Sequence, residues 1–175
     1  MNAEKIFLIG YRGSGKTSVG RTLAERLERR FVDSDQELEA RARSKIVDIF
    51  REQGEPAFRD LESKTLRSIA QEPGVAVVAT GGGIVLRPEN VAVLQAGWVV
   101  WLTAASGILQ SRIAADEAPG AVRPALRGQS AVDEVEAILA ERTPLYDSAS
   151  HVKVSTEDRS LAEIVEDIVA SLPAP

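Results

Sequence analysis

Residues 10–17 read GYRGSGKT and match the spacing G-x-x-x-x-G-K-[ST]. The glycines let backbone amides curl around phosphate oxygens, because no Cβ atom blocks the curve. Lys16 would reach the β- and γ-phosphates, and the Thr17 hydroxyl suits Mg²⁺ as a ligand. An apolar stretch precedes the loop and a helical pattern follows it, so a chance glycine turn is a poor alternative. We therefore expect these residues to bind a nucleoside triphosphate: Gly13, Ser14, Gly15, Lys16, Thr17 and Ser18.

Two carboxylates, Asp33 and Asp35, stand on alternate residues directly after a second apolar stretch. Ligands of an open α/β sheet bind beyond the carboxyl ends of its strands, which is where this pair would lie. Asp33 can hold Mg²⁺ through water while Asp35 accepts the proton of an attacking hydroxyl. The same residues also suit a helix cap, since Asp or Ser before a helix accepts hydrogen bonds from free amides. Spacing alone leaves both roles open.

The elements that must position these residues follow from an alternation of short apolar stretches with amphipathic ones. This pattern is typical of a parallel sheet with crossover helices. Five strands are predicted, at residues 6–9, 31–32, 75–79, 98–102 and 152–154. The first, third and fourth are apolar enough to be buried on both faces. The sequence thus predicts an α/β fold.

Helices are predicted between the strands. The last of them covers residues 161–172, whose apolar side chains follow the i, i+3, i+4, i+7 spacing. Residues 36–71 are helical in pattern but broken at 53–56, where glycine and proline favour two or three short helices. Residues 114–128 show little periodicity and are predicted to form a mobile loop. The single histidine, His151, is interpreted as structural or solvated.

Length and charge limit the class of protein. A chain of 175 residues with 44% apolar content predicts one domain over residues 1–175. The net charge of -5 gives no general attraction to nucleic acid or to an anionic membrane. No cysteine is present, which excludes disulfides and thiolate metal sites. The first apolar stretch is too short for a signal peptide or a membrane span, so we expect a cytoplasmic protein.

Several stretches together carry a family resemblance. They are IFLIGYRGSGKTSVGRTLAERL from Ile6, FVDSD from Phe31, IFREQGEPAFRDLE from Ile49, TGGG from Thr80, RPAL from Arg123 and ERTPLYDSAS from Glu141. In this order and combination they resemble the shikimate kinase family over nearly the whole chain. The resemblance implies a three-layer α/β/α fold like that of nucleoside monophosphate kinases, with a five-stranded parallel sheet. It also implies a monomer that uses ATP and Mg²⁺ to phosphorylate the 3-hydroxyl of shikimate.

The resemblance assigns the residues that would bind shikimate. Arg59 and Arg142 match two arginines that grip its carboxylate, a role for which forked guanidinium donors are suited. Without the family, each would be interpreted as a solvated arginine on a polar helix face. Gly81, Gly82 and Gly83 match a turn that brings backbone amides to the substrate, although an ordinary bend is the alternative. Asp35 would lie near the reacting hydroxyl.

Three further arginines are assigned by the resemblance to the nucleotide. Arg123 matches a lid arginine that covers the phosphates, and with Lys16 and Asp35 it completes the expected catalytic set. Arg112 and Arg159 match positions that flank the adenine ring. The chain departs from the common family pattern at Ala125, where leucine is usual, and at Leu161, where proline is frequent.

Two other functions remain as alternatives. Another phosphate-loop kinase, acting on gluconate or a nucleoside monophosphate, would not need two arginines and a glycine turn around a carboxylic acid. A nucleotide-dependent switch or binding module would leave those residues without a role. The chain also contains no Asn-Lys-x-Asp or Thr-Lys-x-Asp motif for reading guanine.

Overall fold

The computed structural model describes residues 4–74, 76–116 and 135–173. Its strands are β1 (Lys5–Ile9), β2 (Arg30–Asp33), β3 (Ala76–Ala79), β4 (Trp98–Thr103) and β5 (Val152–Ser155). They form one parallel sheet in the order β2-β3-β1-β4-β5. The five predicted strands are confirmed to within one residue at each described end. Of the residues predicted to form strands, Val75 is the one that lies outside the described ranges.

Helices connect the strands and cover both faces of the sheet. In the described part of the chain they are α1 (Lys16–Arg26), α2 (Ser34–Ala42), α3 (Ile46–Gln71), α4 (Pro88–Gln95), α5 (Ser106–Asp116), α6 (Val135–Ala149) and α7 (Leu161–Ser171). A short 3₁₀ turn, Ile84–Leu86, precedes α4. The predicted C-terminal helix is confirmed as α7, which begins with a capping box between Ser160 and Glu163.

Side chains of β1 alternate between two cores, because successive residues of a strand point to opposite faces. Ile6 and Leu8 pack with apolar residues of α1 and α7. Phe7 and Ile9 pack on the other face with residues of α3, α4 and α6. The three-layer α/β/α architecture is therefore confirmed.

The parallel register brings several loops to one edge of the sheet. Asp33 at the end of β2 is paired with Ala79 at the end of β3, and Ala79 is paired with Leu8 of β1. Thr80, just beyond β3, donates to the Leu8 carbonyl oxygen from both its amide and its hydroxyl, at 3.1 and 2.9 Å. The residues that follow β1, β2 and β3 consequently meet at the carboxyl edge, where ligands of such sheets bind.

The helical region after β2 contains the predicted break, in a milder form. α2 and α3 are separate, and α3 bends at Gly54, whose φ of 81° and ψ of 173° are not helical. Pro56 follows the bend, where its missing amide hydrogen costs no helical hydrogen bond. The helix resumes at once, so residues 53–56 form a kink rather than a loop.

His151 has a structural role at the amino end of the sheet, in line with one of its two interpretations. Its Nδ1 accepts a hydrogen bond from the Val99 amide at 3.0 Å, and its ring stacks on Trp98 at 4.7 Å. The predicted mobile loop begins too early, because residues 114–116 are the end of α5, and the remainder, 117–128, lies outside the described residues. None of the helices within the described ranges has the length and apolar character needed to cross a membrane.

Candidate active site

The loop between β1 and α1 is pressed against the end of β4. A Cβ atom added to Gly10, whose φ is 138°, would collide with the Leu102 carbonyl oxygen. Gly15 has a φ of 89° and forms the N-cap of α1, so its amide and the first amides of the helix border the loop. Only glycine adopts such backbone angles without strain. The loop thus places backbone amides around one space at the N-terminus of α1, which is the positive end of the helix dipole. This arrangement suits the binding of an anion.

Lys16 reaches back across this loop. Its Nζ donates to the carbonyl oxygens of Gly10 and Tyr11, at 2.8 and 2.7 Å. Ser14 is buried within the loop, whereas Thr17 and Ser18 stand at the first turn of α1. The ammonium group is therefore held over the concave side of the loop.

Of the two roles that its spacing allowed, Asp33 has that of a helix cap, and its role toward a metal stays a prediction. Its Oδ1 accepts hydrogen bonds from the amides of Asp35 and Gln36, at 3.0 and 3.3 Å, which caps α2. Its Oδ2 accepts a hydrogen bond from the Thr17 hydroxyl at 3.2 Å. The cap leaves this second oxygen beside the phosphate loop, so a carboxylate and a hydroxyl oxygen lie together there. No group of three or more acidic, histidine or cysteine side chains that could hold a metal occurs in the described ranges.

A cavity of about 590 Å³ joins these features. Along it lie Asp35, the two arginines predicted near the adenine ring, Gly82 of the glycine turn, and the residues predicted for the phosphates and the metal except Ser14. The lining from this set is Gly13, Gly15, Lys16, Thr17, Ser18, Asp33, Asp35, Gly82, Arg112 and Arg159. Arg12, Thr80 and Thr156 also line it and received no role in the sequence analysis, although Arg12 occupies a variable position of the phosphate loop and Thr80 begins the TGGG stretch. Arg59 and Arg142 are not part of its lining.

The glycine turn at residues 81–83 forms the far end of the site. Arg142 donates from Nη1 to the Gly82 carbonyl oxygen at 3.1 Å, and the Tyr146 hydroxyl donates to the same oxygen. The Arg59 guanidinium packs so closely on Gly83 that a Cβ atom there would overlap it. Arg59 and Arg142, 83 positions apart in the sequence, thus meet at one turn.

Both arginines are 8% exposed, which contradicts the interpretation of solvated side chains on a polar face. Arg59 pairs with Glu62 at 2.8 Å and with Glu55 at 3.1 Å. Burial alone would lower the pKa of Arg59, but Glu62 and Glu55 together raise it above its usual value. Arg59 is therefore a permanently charged group fixed against the turn.

Glu62 is a buried carboxylate that was not predicted from the sequence to belong to the site. It is 4% exposed, and its Oε1 lies 2.8 Å from where a Gly81 Cβ would be, while Asp35 Oδ1 lies 3.0 Å from the same point. Burial raises the pKa of Glu62, Arg59 lowers it, Asp35 raises it and Arg142 lowers it, and the net shift is upward. Its i, i+3 spacing from Arg59 on one helix was the available signal.

Arg112 and Arg159 lie at the opposite end of the cavity. Arg112 donates to the hydroxyl and carbonyl oxygens of Thr156, at 2.9 and 2.8 Å, and to the Gly13 carbonyl at 3.3 Å. Arg159 pairs with Asp167 of α7 at 2.7 Å. Leu161 also lines this end and is 42% exposed. An apolar side chain and two cations thus surround a space beyond the phosphate loop.

Arg123, the remaining predicted catalytic residue, lies outside the described residues, as does Ala125.

Comparisons with known proteins identify the family of this chain. The family model described as shikimate kinase matches residues 12–173. A shikimate kinase of Nitratidesulfovibrio vulgaris is 46% identical over 169 residues, covering 96% of this chain and 95% of that protein. The solved shikimate kinase from Acinetobacter baumannii in complex with shikimate is 34% identical, with a TM-score of 0.86 over 94% of this chain and 90% of that one. A gluconokinase from Sinorhizobium meliloti, 18% identical over 95% of this chain and 90% of that one, has a TM-score of 0.54 and shares the fold alone.

Fold and phosphate loop define a small-molecule kinase with the architecture of the nucleoside monophosphate kinases. Within that class, the chain belongs to the shikimate kinase family.

Proposed function

We propose that this protein is a shikimate kinase, which transfers the γ-phosphoryl group of ATP to the 3-hydroxyl of shikimate. One observation carries the assignment of the acceptor: Arg59 and Arg142 converge on the glycine turn that ends a cavity beginning at the phosphate loop. Two guanidinium groups at one turn suit a carboxylate, because their donors fit its two oxygens.

The nucleotide would bind with its phosphates against the backbone amides of the loop and of the first turn of α1. Lys16 would exchange the carbonyl oxygens of Gly10 and Tyr11 for phosphate oxygens. Arg112, Arg159 and Leu161 would then contact the adenine ring at the other end of the cavity. The γ-phosphate would face the glycine turn, between the two ends.

Thr17 and Asp33 fit a magnesium ion. Both supply oxygen, the atom that Mg²⁺ prefers, and they are few, as expected for an ion that keeps several waters and is held mainly by phosphates. Thr17 would bind directly and Asp33 through water. When bound, the ion would neutralise charge on the β- and γ-phosphates.

Asp35 would orient the 3-hydroxyl toward the γ-phosphate. Phosphoryl transfer passes through a loose transition state, so aiming the hydroxyl matters more than early removal of its proton. Arg123 would add positive charge to the transferring group, an assignment that comes from the sequence resemblance.

The proposal is tested by release of ADP with shikimate, gluconate and nucleoside monophosphates offered in parallel. We expect ADP release with shikimate and none with gluconate or the nucleoside monophosphates. Turnover with gluconate would support the rival kinase, and absence of turnover with every acceptor would favour a binding module.

A further inference from the structure

A compact group of charges from three helices lies around the glycine turn at residues 81–83. Arg59 and Glu62 come from α3, with Glu55 beyond them on the guanidinium of Arg59. Asp35 faces Glu62 from α2, and Arg142 faces it from α6. Tyr146 of α6 also faces it, but burial raises the pKa of Tyr146 to about 12, so this phenol stays neutral.

These charges balance before an acid binds. The two guanidinium groups of Arg59 and Arg142 match the two carboxylates of Glu62 and Asp35, while the third carboxylate, Glu55, is 49% exposed and its charge is screened by water. The substrate carboxylate would add one uncompensated negative charge beside the buried Glu62, which is unfavourable because the low dielectric strengthens repulsion. The excess negative charge is removed at the lowest free-energy cost when one of the protein's own carboxylates takes up a proton.

Glu62 is the carboxylate best placed to accept that proton. Its side chain is 4% exposed, whereas the Glu55 side chain is 49% exposed and its charge is eased by water. Glu62 also uses the same guanidinium that the incoming acid would contact, through Arg59 Nη1 at 2.8 Å. An acid that draws Arg59 toward itself weakens the interaction that keeps Glu62 ionised.

We propose that shikimate binds together with one proton from solvent, which is stored on Glu62. This inference rests on the proposed function, because it needs a carboxylate between Arg59 and Arg142. The proton joins a carboxylate oxygen and forms a neutral carboxylic acid, so no other reactant is required. The site then contains two guanidinium groups, the substrate carboxylate and Asp35, and its charge is again balanced.

Calorimetry in buffers of different ionisation enthalpy measures the proton directly. The wild-type protein is titrated with shikimate at one pH, without nucleotide, in HEPES and in Tris, neither of which is a phosphate that could bind the loop. We expect the apparent enthalpy to vary with the buffer's ionisation enthalpy, with a slope equivalent to uptake of up to about one proton per shikimate. Binding without any buffer dependence, or with proton release, would overturn the inference and leave the proposed function intact. Failure of shikimate to bind would instead count against the proposed function.

Two variants locate the proton. Glu62→Gln keeps the size of the side chain but cannot titrate, and we expect its buffer dependence to vanish. Glu55→Gln is the matched control, because it removes the other carboxylate on Arg59 and should keep the wild-type slope. An unchanged slope in Glu62→Gln would place the proton elsewhere and refute the assignment.

A measurement on the wild-type chain covers the case in which Glu62→Gln fails to fold. With ¹³C-labelled glutamate carboxyls, one resonance should titrate at a higher pH in the shikimate complex than in the free protein. Between those two pH values the Kd for shikimate should rise with pH, by at most about tenfold per pH unit. Identical glutamate titrations with and without shikimate would overturn the inference.

Discussion

At the scale of single residues, Gly83 has the most sharply defined steric requirement in the site. An added methyl group would overlap the Arg59 guanidinium, so Gly83→Ala must displace it. Overpacking of this kind costs about 1–3 kcal/mol, and we expect KM for shikimate to rise roughly 10- to 100-fold. Steady-state kinetics with varied shikimate would measure the effect. Gly107→Ala in α5, where no atom lies within 4 Å of the added Cβ, is the control and should leave KM unchanged.

Arg59 itself provides a second test at this scale. Arg59→Lys keeps the charge but loses the forked donors, which costs about 1.5–3 kcal/mol for hydrogen bonds to a charged partner. KM for shikimate should rise roughly 10- to 100-fold while the Kd for ADP stays within about twofold. Arg67→Lys, on an exposed part of the same helix, is the matched control. Equal losses of shikimate and ADP affinity would argue against a carboxylate clamp.

At the scale of secondary-structure elements, Arg87 connects the segment after the glycine turn to α3. It is the N-cap of α4, and it pairs with Asp60 at 2.8 Å and donates to Ser63 at 3.4 Å. Asp60 and Ser63 each follow a residue of the Arg59–Glu62 pair. Arg87 therefore holds the turn of α3 that carries Arg59 beside the turn that Arg59 must contact.

Loss of this connection should loosen acid binding modestly. Because exposed ion pairs contribute about 0.2–1 kcal/mol, Arg87→Ala should raise KM for shikimate roughly 1.5- to 5-fold and leave ADP affinity unchanged. Asp60→Ala should have a similar effect, and the double variant should lose little more than either single one. Arg51→Ala, which breaks an exposed pair with Asp48 on α3, is the control. Fully additive losses would contradict a shared contact.

The strands and helices were largely predictable from the sequence, but which of them lie next to one another in the fold was not. Apolar stretches such as that of β4 fixed the number and position of the strands, because burial on both faces requires continuous apolar sequence. Strand order depends on which crossovers pack together, which periodicity within one element does not report. The bend at Gly54 was visible as glycine and proline, yet whether the helix resumes depends on packing against α2.

In the candidate active site, too, residues that follow one another in sequence were predictable, and residues that only the fold brings together were not. The phosphate loop was predictable because its glycines and lysine must follow one another in sequence. Arg59 and Arg142 were assigned by resemblance, since a clamp assembled from two helices leaves no local pattern. Glu62 was missed because an acid three residues from an arginine is also what an ordinary exposed helical pair looks like. Its burial is a property of the fold.

At the scale of the whole molecule, we propose that residues 1–175 form one cooperative domain and that the protein is a monomer. Calorimetric unfolding should then show a single transition. Mg·ADP at 100 times its Kd should stabilise the native state by about 2.7 kcal/mol and raise Tm by roughly 5–10 °C. Lys16→Ala should largely abolish the shift. Two separate transitions, of which only one responds to Mg·ADP, would show that the chain divides into independent units.

The two tryptophans occupy positions that make them separate optical reporters. Trp101 stacks on Tyr146 at 5.7 Å, and the Tyr146 hydroxyl contacts the Gly82 carbonyl, so its indole is two contacts from the place where the acid would sit. Trp98 stacks on His151 at the opposite edge of the sheet. Changes of intrinsic fluorescence on adding shikimate should therefore originate at Trp101, whereas Trp98, at the other edge, should not respond to the acid. The protein can report acid binding without an attached dye.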